Sequence, residues 1–138
     1  MHDFSLRAVG PIGDCAVLRV AGEIDVYTAP RLREGMLDLV AKGAVHLLVD
    51  LKGVTFLDST GLGLFVGCLR RVRAHDGSLT LVISAEPILR VFRITGLSSV
   101  LPSHLSISDA VTSDAHWLQT IEGEAGGVEQ WCRLHDLF

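Results

Sequence analysis

The amino-acid sequence predicts an α/β fold in which a small parallel or mixed sheet is covered by helices. Two observations carry this. Short apolar runs of strand length alternate with segments whose apolar residues return at helical spacing. The connections between them are short, which sets consecutive elements side by side. With 138 residues the chain is long enough for one core and too short for two. Its 49% apolar and 20% charged residues are the balance of a globular chain, not a disordered one.

Taken in order, Cys15 to Ala21 is an apolar run suited to a strand. Phe4 to Val9 is placed to pair with it across the turn signal Gly10-Pro11-Ile12-Gly13-Asp14. Gly22-Glu23-Ile24-Asp25 then leads to Thr28-Ala29-Pro30, where a Thr cap and a proline in the first turn start a helix. Leu32, Met36, Leu39 and Val40 form its apolar stripe, and Lys42-Gly43 ends it. Val45 to Asp50 reads as a strand buried on both faces. Asp58-Ser59-Thr60-Gly61 opens a second helix that runs to about Ala74. Leu62, Phe65, Leu69 and Val72 form its stripe, and Arg70, Arg71 and Arg73 sit where cations suit the helix dipole.

His75-Asp76-Gly77 is a turn, and Ser78 to Ile83 is a further strand. Glu86-Pro87 opens a third helix carrying Leu89, Val91 and Phe92, which Gly96 closes. A strand near Val100 or Leu105 is only weakly signalled, and Ser108-Asp109-Ala110-Val111 begins another helix. Residues 113–138 differ in character. Gly123-Glu124-Ala125-Gly126-Gly127 has the composition of a flexible break. After it, Val128, Trp131, Leu134 and Phe138 are spaced to share one face of a short helix. Trp117, Leu118, Ile121 and Trp131 could complete the core, or Trp131, Leu134 and Phe138 could anchor a dimer or a partner.

Charge and cysteine usage exclude several functions. The formal net charge is -4. Residues 113–138 hold five acidic side chains against Arg133 alone, so they account for the whole excess. No clustered basic surface points to nucleic acid. Three widely spaced cysteines, Cys15, Cys68 and Cys132, fit reduced thiols rather than a disulfide framework. No signal peptide is visible, and no stretch approaches the roughly 20 apolar residues of a membrane span. The expected location is the cytoplasm, without membrane contact.

Catalytic chemistry is sparse. The six histidines, His2, His46, His75, His104, His116 and His135, show no compact metal-ligand spacing. Cys132 and His135 are too few to make a zinc site, so neither a metal nor a cofactor is expected. His46, in an apolar strand, reads as a satisfied structural histidine. Gly61-Leu62-Gly63 lacks the endings of both nucleotide-binding loops. Gly61, Gly63 and Gly67 read instead as close-packing positions of a helix on a sheet. A hydrolase elbow would need Gly-x-Ser-x-Gly, which Ser59 lacks. Cys68 reads as a small core residue.

Asp58-Ser59-Thr60-Gly61 remains. Its plainest role is an N-cap. Yet two hydroxyls stand side by side after the carboxyl end of a buried strand, where α/β folds place their sites. Phosphorylation there would add about -1.5 to -2 charges at pH 7. The helix N-terminus tolerates such a charge. A partner matched to the unmodified loop does not, and a penalty of ~3 kcal/mol weakens binding about a hundredfold.

The sequence resembles the STAS family, specifically the anti-sigma factor antagonists, from about residue 4 to 112. The resemblance rests on Gly22-Glu23-Ile24-Asp25, Val49-Asp50-Leu51, Val54-Thr55-Phe56-Leu57-Asp58-Ser59-Thr60-Gly61-Leu62-Gly63, and Phe92-Arg93-Ile94-Thr95-Gly96-Leu97. It implies a single STAS domain over 1–112 and a C-terminal extension over 113–138. The sheet would be mostly parallel, with one antiparallel strand and helices mainly on one face. It further implies a bacterial, non-enzymatic regulator of transcription. The unphosphorylated form would bind an anti-sigma factor serine kinase and free a sigma factor. Phosphorylation of Ser59, with Thr60 the lesser candidate, would switch binding off, and a serine phosphatase would restore it. Asp58 would present Ser59, and Asp25, Glu23, Thr60, Gly61 and Leu62 would join the contact. A scaffold or ligand-sensing STAS module is the alternative. The expected assembly is a monomer or weak dimer.

Overall fold

The computed structural model describes residues 3–138, which leaves His2 outside. Five strands form one sheet in chain order. They are β1 (Ser5–Ile12), β2 (Cys15–Ile24), β3 (His46–Leu57), β4 (Ser78–Val82) and β5 (Ser103–His104). β1 pairs antiparallel with β2, and every later pair is parallel. This is the mixed, mostly parallel sheet that the sequence implied.

Helix α1 (Ala29–Ala41) joins β2 to β3, α2 (Ser59–Arg73) joins β3 to β4, and α3 (Glu86–Ile94) leads toward β5. Because the strands lie in chain order, each crossover steps the same way. Right-handed crossovers then put all three helices on one face. Leu32 and Met36 of α1, Phe65 of α2 and Phe92 of α3 pack there on Leu18, Leu47, Val49 and Leu81.

Side chains alternate along a strand, so the opposite face carries Val9, Cys15, Val17, Leu48 and Val82. That face needs its own cover. Helices α4 (Ile107–Thr112), α5 (Ala115–Ala125) and α6 (Val128–Leu134) supply it through Val111, Trp117, Ile121, Trp131 and Cys132. Helices therefore lie on both faces, where the sequence reading put them mainly on one. The apolar alternation of β2 and β3 leaves no face free to meet water.

Residues 113–138 dock through this second face. Trp117, Ile121 and Trp131 are buried and Leu118 is half-buried. The glycine break shrinks to Gly126-Gly127 between α5 and α6, with Gly126 at φ 86°. Trp131 does not share a face with Leu134 and Phe138, which are exposed. Asp136 turns left-handed at φ 54°, and Leu137 takes the inward place instead. Trp131 is thus a core residue and not a surface anchor. Arg7 and Arg19 donate to the carbonyls of His135 and Asp136. Arg19 also holds the buried Asp50 carboxylate at 3.0 Å.

Two further details differ from expectation. β3 continues beyond Asp50 to Leu57, with its register to β2 shifted beside Gly53. Thr28 precedes α1 but makes no side-chain cap; the Asp25 carboxylate accepts from Tyr27 and Thr28 N–H at 2.9 and 3.0 Å.

Candidate functional site

The site forms where β2 and β3 end together. Ile24 pairs with Leu57, and Asp58 N–H donates to the Ile24 carbonyl at 3.2 Å. The next residues, Asp25 and Asp58, therefore stand at neighbouring strand ends. Each carboxylate closes a turn. Asp58 Oδ1 accepts from Thr60 N–H at 2.9 Å and from Gly61 N–H at 3.3 Å, which fixes the start of α2. Asp25 does the same work ahead of α1. Thr28 adds a hydroxyl bond to the Glu23 carbonyl at 2.7 Å, tying that half-buried residue into the loop.

Ser59 is the first residue of α2, and its side chain is exposed, as is that of Thr60. Gly61 behind them is buried. A Cβ on Gly61 would overlap Leu57 Cδ1 and come within 2.7 Å of Ile24 Cγ2. Gly61 thus lets the first turn of α2 sit on the strand ends and does not itself offer contact surface. Leu62 is half-buried against the core. Gly63 and Gly67 behave differently from the sequence reading: a Cβ on either meets nothing within 4 Å. They line an open groove between α1 and α2 with Arg33, Met36, Leu64 and Arg71.

Exposed apolar side chains lie in the same loops and strand ends. Val26 is 60% exposed, Tyr27 86% and Phe56 47%. Val26, Pro30, Arg33, Thr60 and Leu64 line a second open groove beside Ser59. Among the described residues no histidine bonds to Ser59, and His46 lies at the far end of β3. A serine nucleophile activated by histidine has no support in this arrangement.

A family model described as the STAS domain matches residues 8–110. The chain belongs to the STAS-domain family. One STAS relative is an anti-sigma-B factor antagonist of Bacillus subtilis (strain 168). It is 48% identical over 84 residues, which cover 61% of this chain and 76% of that protein. The anti-sigma-B factor antagonist of Listeria monocytogenes serovar 1/2a is 43% identical over 82 residues, 59% of this chain and 72% of that one. Among solved structures, an anti-sigma factor antagonist from Mycobacterium paratuberculosis superposes with a TM-score of 0.74 at 28% identity. It covers 80% of this chain and 93% of its own. These STAS relatives are bacterial anti-sigma factor antagonists.

The STAS match ends before α5 and α6. No described helix is long and apolar enough to cross a membrane. Cys68 is buried in the core packed by α2, and that burial pushes its thiol up to about 11. Sequence reasoning missed Val26, Tyr27 and Phe56, because an apolar residue carries no mark of exposure. It also missed a group at the opposite end of the sheet: Asp14, Cys15 and His116 bring their donor atoms within 4.8 Å of one another.

Proposed function

We propose that this protein is a cytoplasmic, non-catalytic anti-sigma factor antagonist whose partner binding is switched by phosphorylation of Ser59. Residues 1–112 form the STAS domain in this proposal, and residues 113–138 an extension. The observation that carries it is the exposed Ser59 hydroxyl at the first position of α2, framed by two turn-closing aspartates and an apolar rim. The unmodified surface suits a protein partner, with Tyr27, Val26 and Phe56 supplying apolar area and Asp25, Glu23 and Asp58 supplying charge.

The partner is an anti-sigma factor serine kinase that brings ATP. Transfer forms a bond between Ser59 Oγ and the γ-phosphorus and breaks the bridging P–O bond of ATP. The hydroxyl proton passes to a base on the kinase, and ADP leaves. Asp58 keeps Ser59 at the helix start. Once made, the phosphate places about -1.5 to -2 charges beside Asp58. The N-terminus of α2 tolerates them, so the domain stays folded while the partner meets repulsion. A serine phosphatase resets the switch.

Titration calorimetry against the anti-sigma kinase tests this. Ser59→Ala is expected to bind like the unmodified chain, and Ser59→Asp at least tenfold more weakly. Equal affinities would end the charge-switch mechanism. Peptide mass spectrometry of chain from its native cells separates Ser59 from Thr60, and finding neither modified would favour a scaffold role.

A further inference from the structure

The second chemistry-bearing cluster lies at the opposite end of the sheet from Ser59, where β2 and β3 begin. Asp14 in the β1–β2 turn, Cys15 at the start of β2, His46 at the start of β3 and His116 in α5 converge there. His116 Nε2 lies 2.6 Å from Asp14 Oδ1, and His46 Nε2 lies 3.8 Å from Asp14 Oδ2. Cys15 Sγ is 3.6 Å from Asp14 Oδ1, and the two imidazole rings stand 4.1 Å apart.

We propose that Asp14, Cys15 and His116, with His46 beside Asp14, form a binding site for one divalent transition-metal ion of the zinc class. Two ligand atoms on a tetrahedral zinc ion lie about 3.4 Å apart, given bonds of ~2.1 Å. The His116–Asp14 and Cys15–Asp14 separations of 2.6 and 3.6 Å bracket that value, and all three donor atoms lie within 4.8 Å of one another. The donors are an imidazole nitrogen, a thiolate and a carboxylate, a set that favours zinc, cobalt or nickel over calcium or magnesium. His46 Nδ1 is 2.9 Å from Ser78 Oγ, which orients the ring and leaves Nε2 toward Asp14.

Access and closure are both provided. Asp14 and His116 are 44% and 45% exposed, while His46 is 15% exposed and Cys15 is buried. An ion can therefore enter from solvent and meet a dry inner wall. The ion ties α5 to the base of the sheet. The sequence hid this group because Asp14 and His116 stand 102 residues apart.

The test uses the full chain, freed of metal by a chelator and titrated with Zn²⁺ or Co²⁺ alone. One equivalent of Zn²⁺ is expected to bind and to raise the melting temperature, as any ligand of the folded state does. Co²⁺ is expected to give a thiolate-to-metal charge-transfer band. His116→Ala, which removes only a half-exposed side chain, should weaken Zn²⁺ binding at least tenfold and cancel the thermal shift. Cys15→Ala should abolish the cobalt band, with circular dichroism checking its fold. The site is disproved if Zn²⁺ uptake is substoichiometric at micromolar protein, or if it survives His116→Ala undiminished.

Discussion

At the level of single residues, the site depends on a glycine as much as on a serine. Gly61→Ala inserts a methyl against Leu57 and Ile24. It is expected to cost about 1–3 kcal/mol in urea unfolding, the usual penalty of overpacking. Ser59→Ala should stay within about 0.5 kcal/mol of the parent, because its side chain is exposed. The two substitutions separate folding from switching. The Asp58–Gly61 segment was legible because its residues are consecutive and their capping chemistry is local. The role of Asp25 was half legible: the sequence pointed to the loop but credited the cap to Thr28. The Asp14, Cys15, His46 and His116 cluster was not legible, since only the packing of α5 onto β2 and β3 assembles it.

At the scale of elements, periodicity identified the strands and helices of the domain well and their ends poorly. β3 outran its apolar run because Lys52 and Gly53 interrupt the hydrophobic pattern while β2 still pairs beside them. Helix α5 was obscured by the glycine-rich composition that ends it, although Asp114 caps it through His116 and Trp117 N–H, whereas the short helix α6 was expected. These helices support the sheet. Burying Trp117, Ile121 and Trp131 contributes about 1.5–3 kcal/mol each, against a typical total of ~5–15. A chain ending at residue 112 is therefore expected to expose Val9, Val17, Leu48 and Val82 and to self-associate on size-exclusion chromatography. A monomer melting within a few degrees of the full chain would contradict this.

Considered whole, the molecule is a sheet with two differently made faces. The first is covered by crossover helices that chain order and handedness dictate. The second is covered by residues mostly beyond the family match. The Ser59 surface and the proposed metal cluster occupy opposite ends of the parallel strands, so the two can act independently. Ser59→Asp should accordingly leave the Zn²⁺-induced rise in melting temperature unchanged.

Both tryptophans of the chain, Trp117 and Trp131, sit in α5 and α6 under the second face, with ring centroids 6.4 Å apart. The single tyrosine, Tyr27, lies exposed in the Asp25–Thr28 loop at the site end of the sheet. The optical probes are thus divided between the second face and the Ser59 end. Indole emission will redden when the C-terminal helices lift from the sheet and stay silent when a partner docks at Ser59. Phenol absorbance will do the reverse.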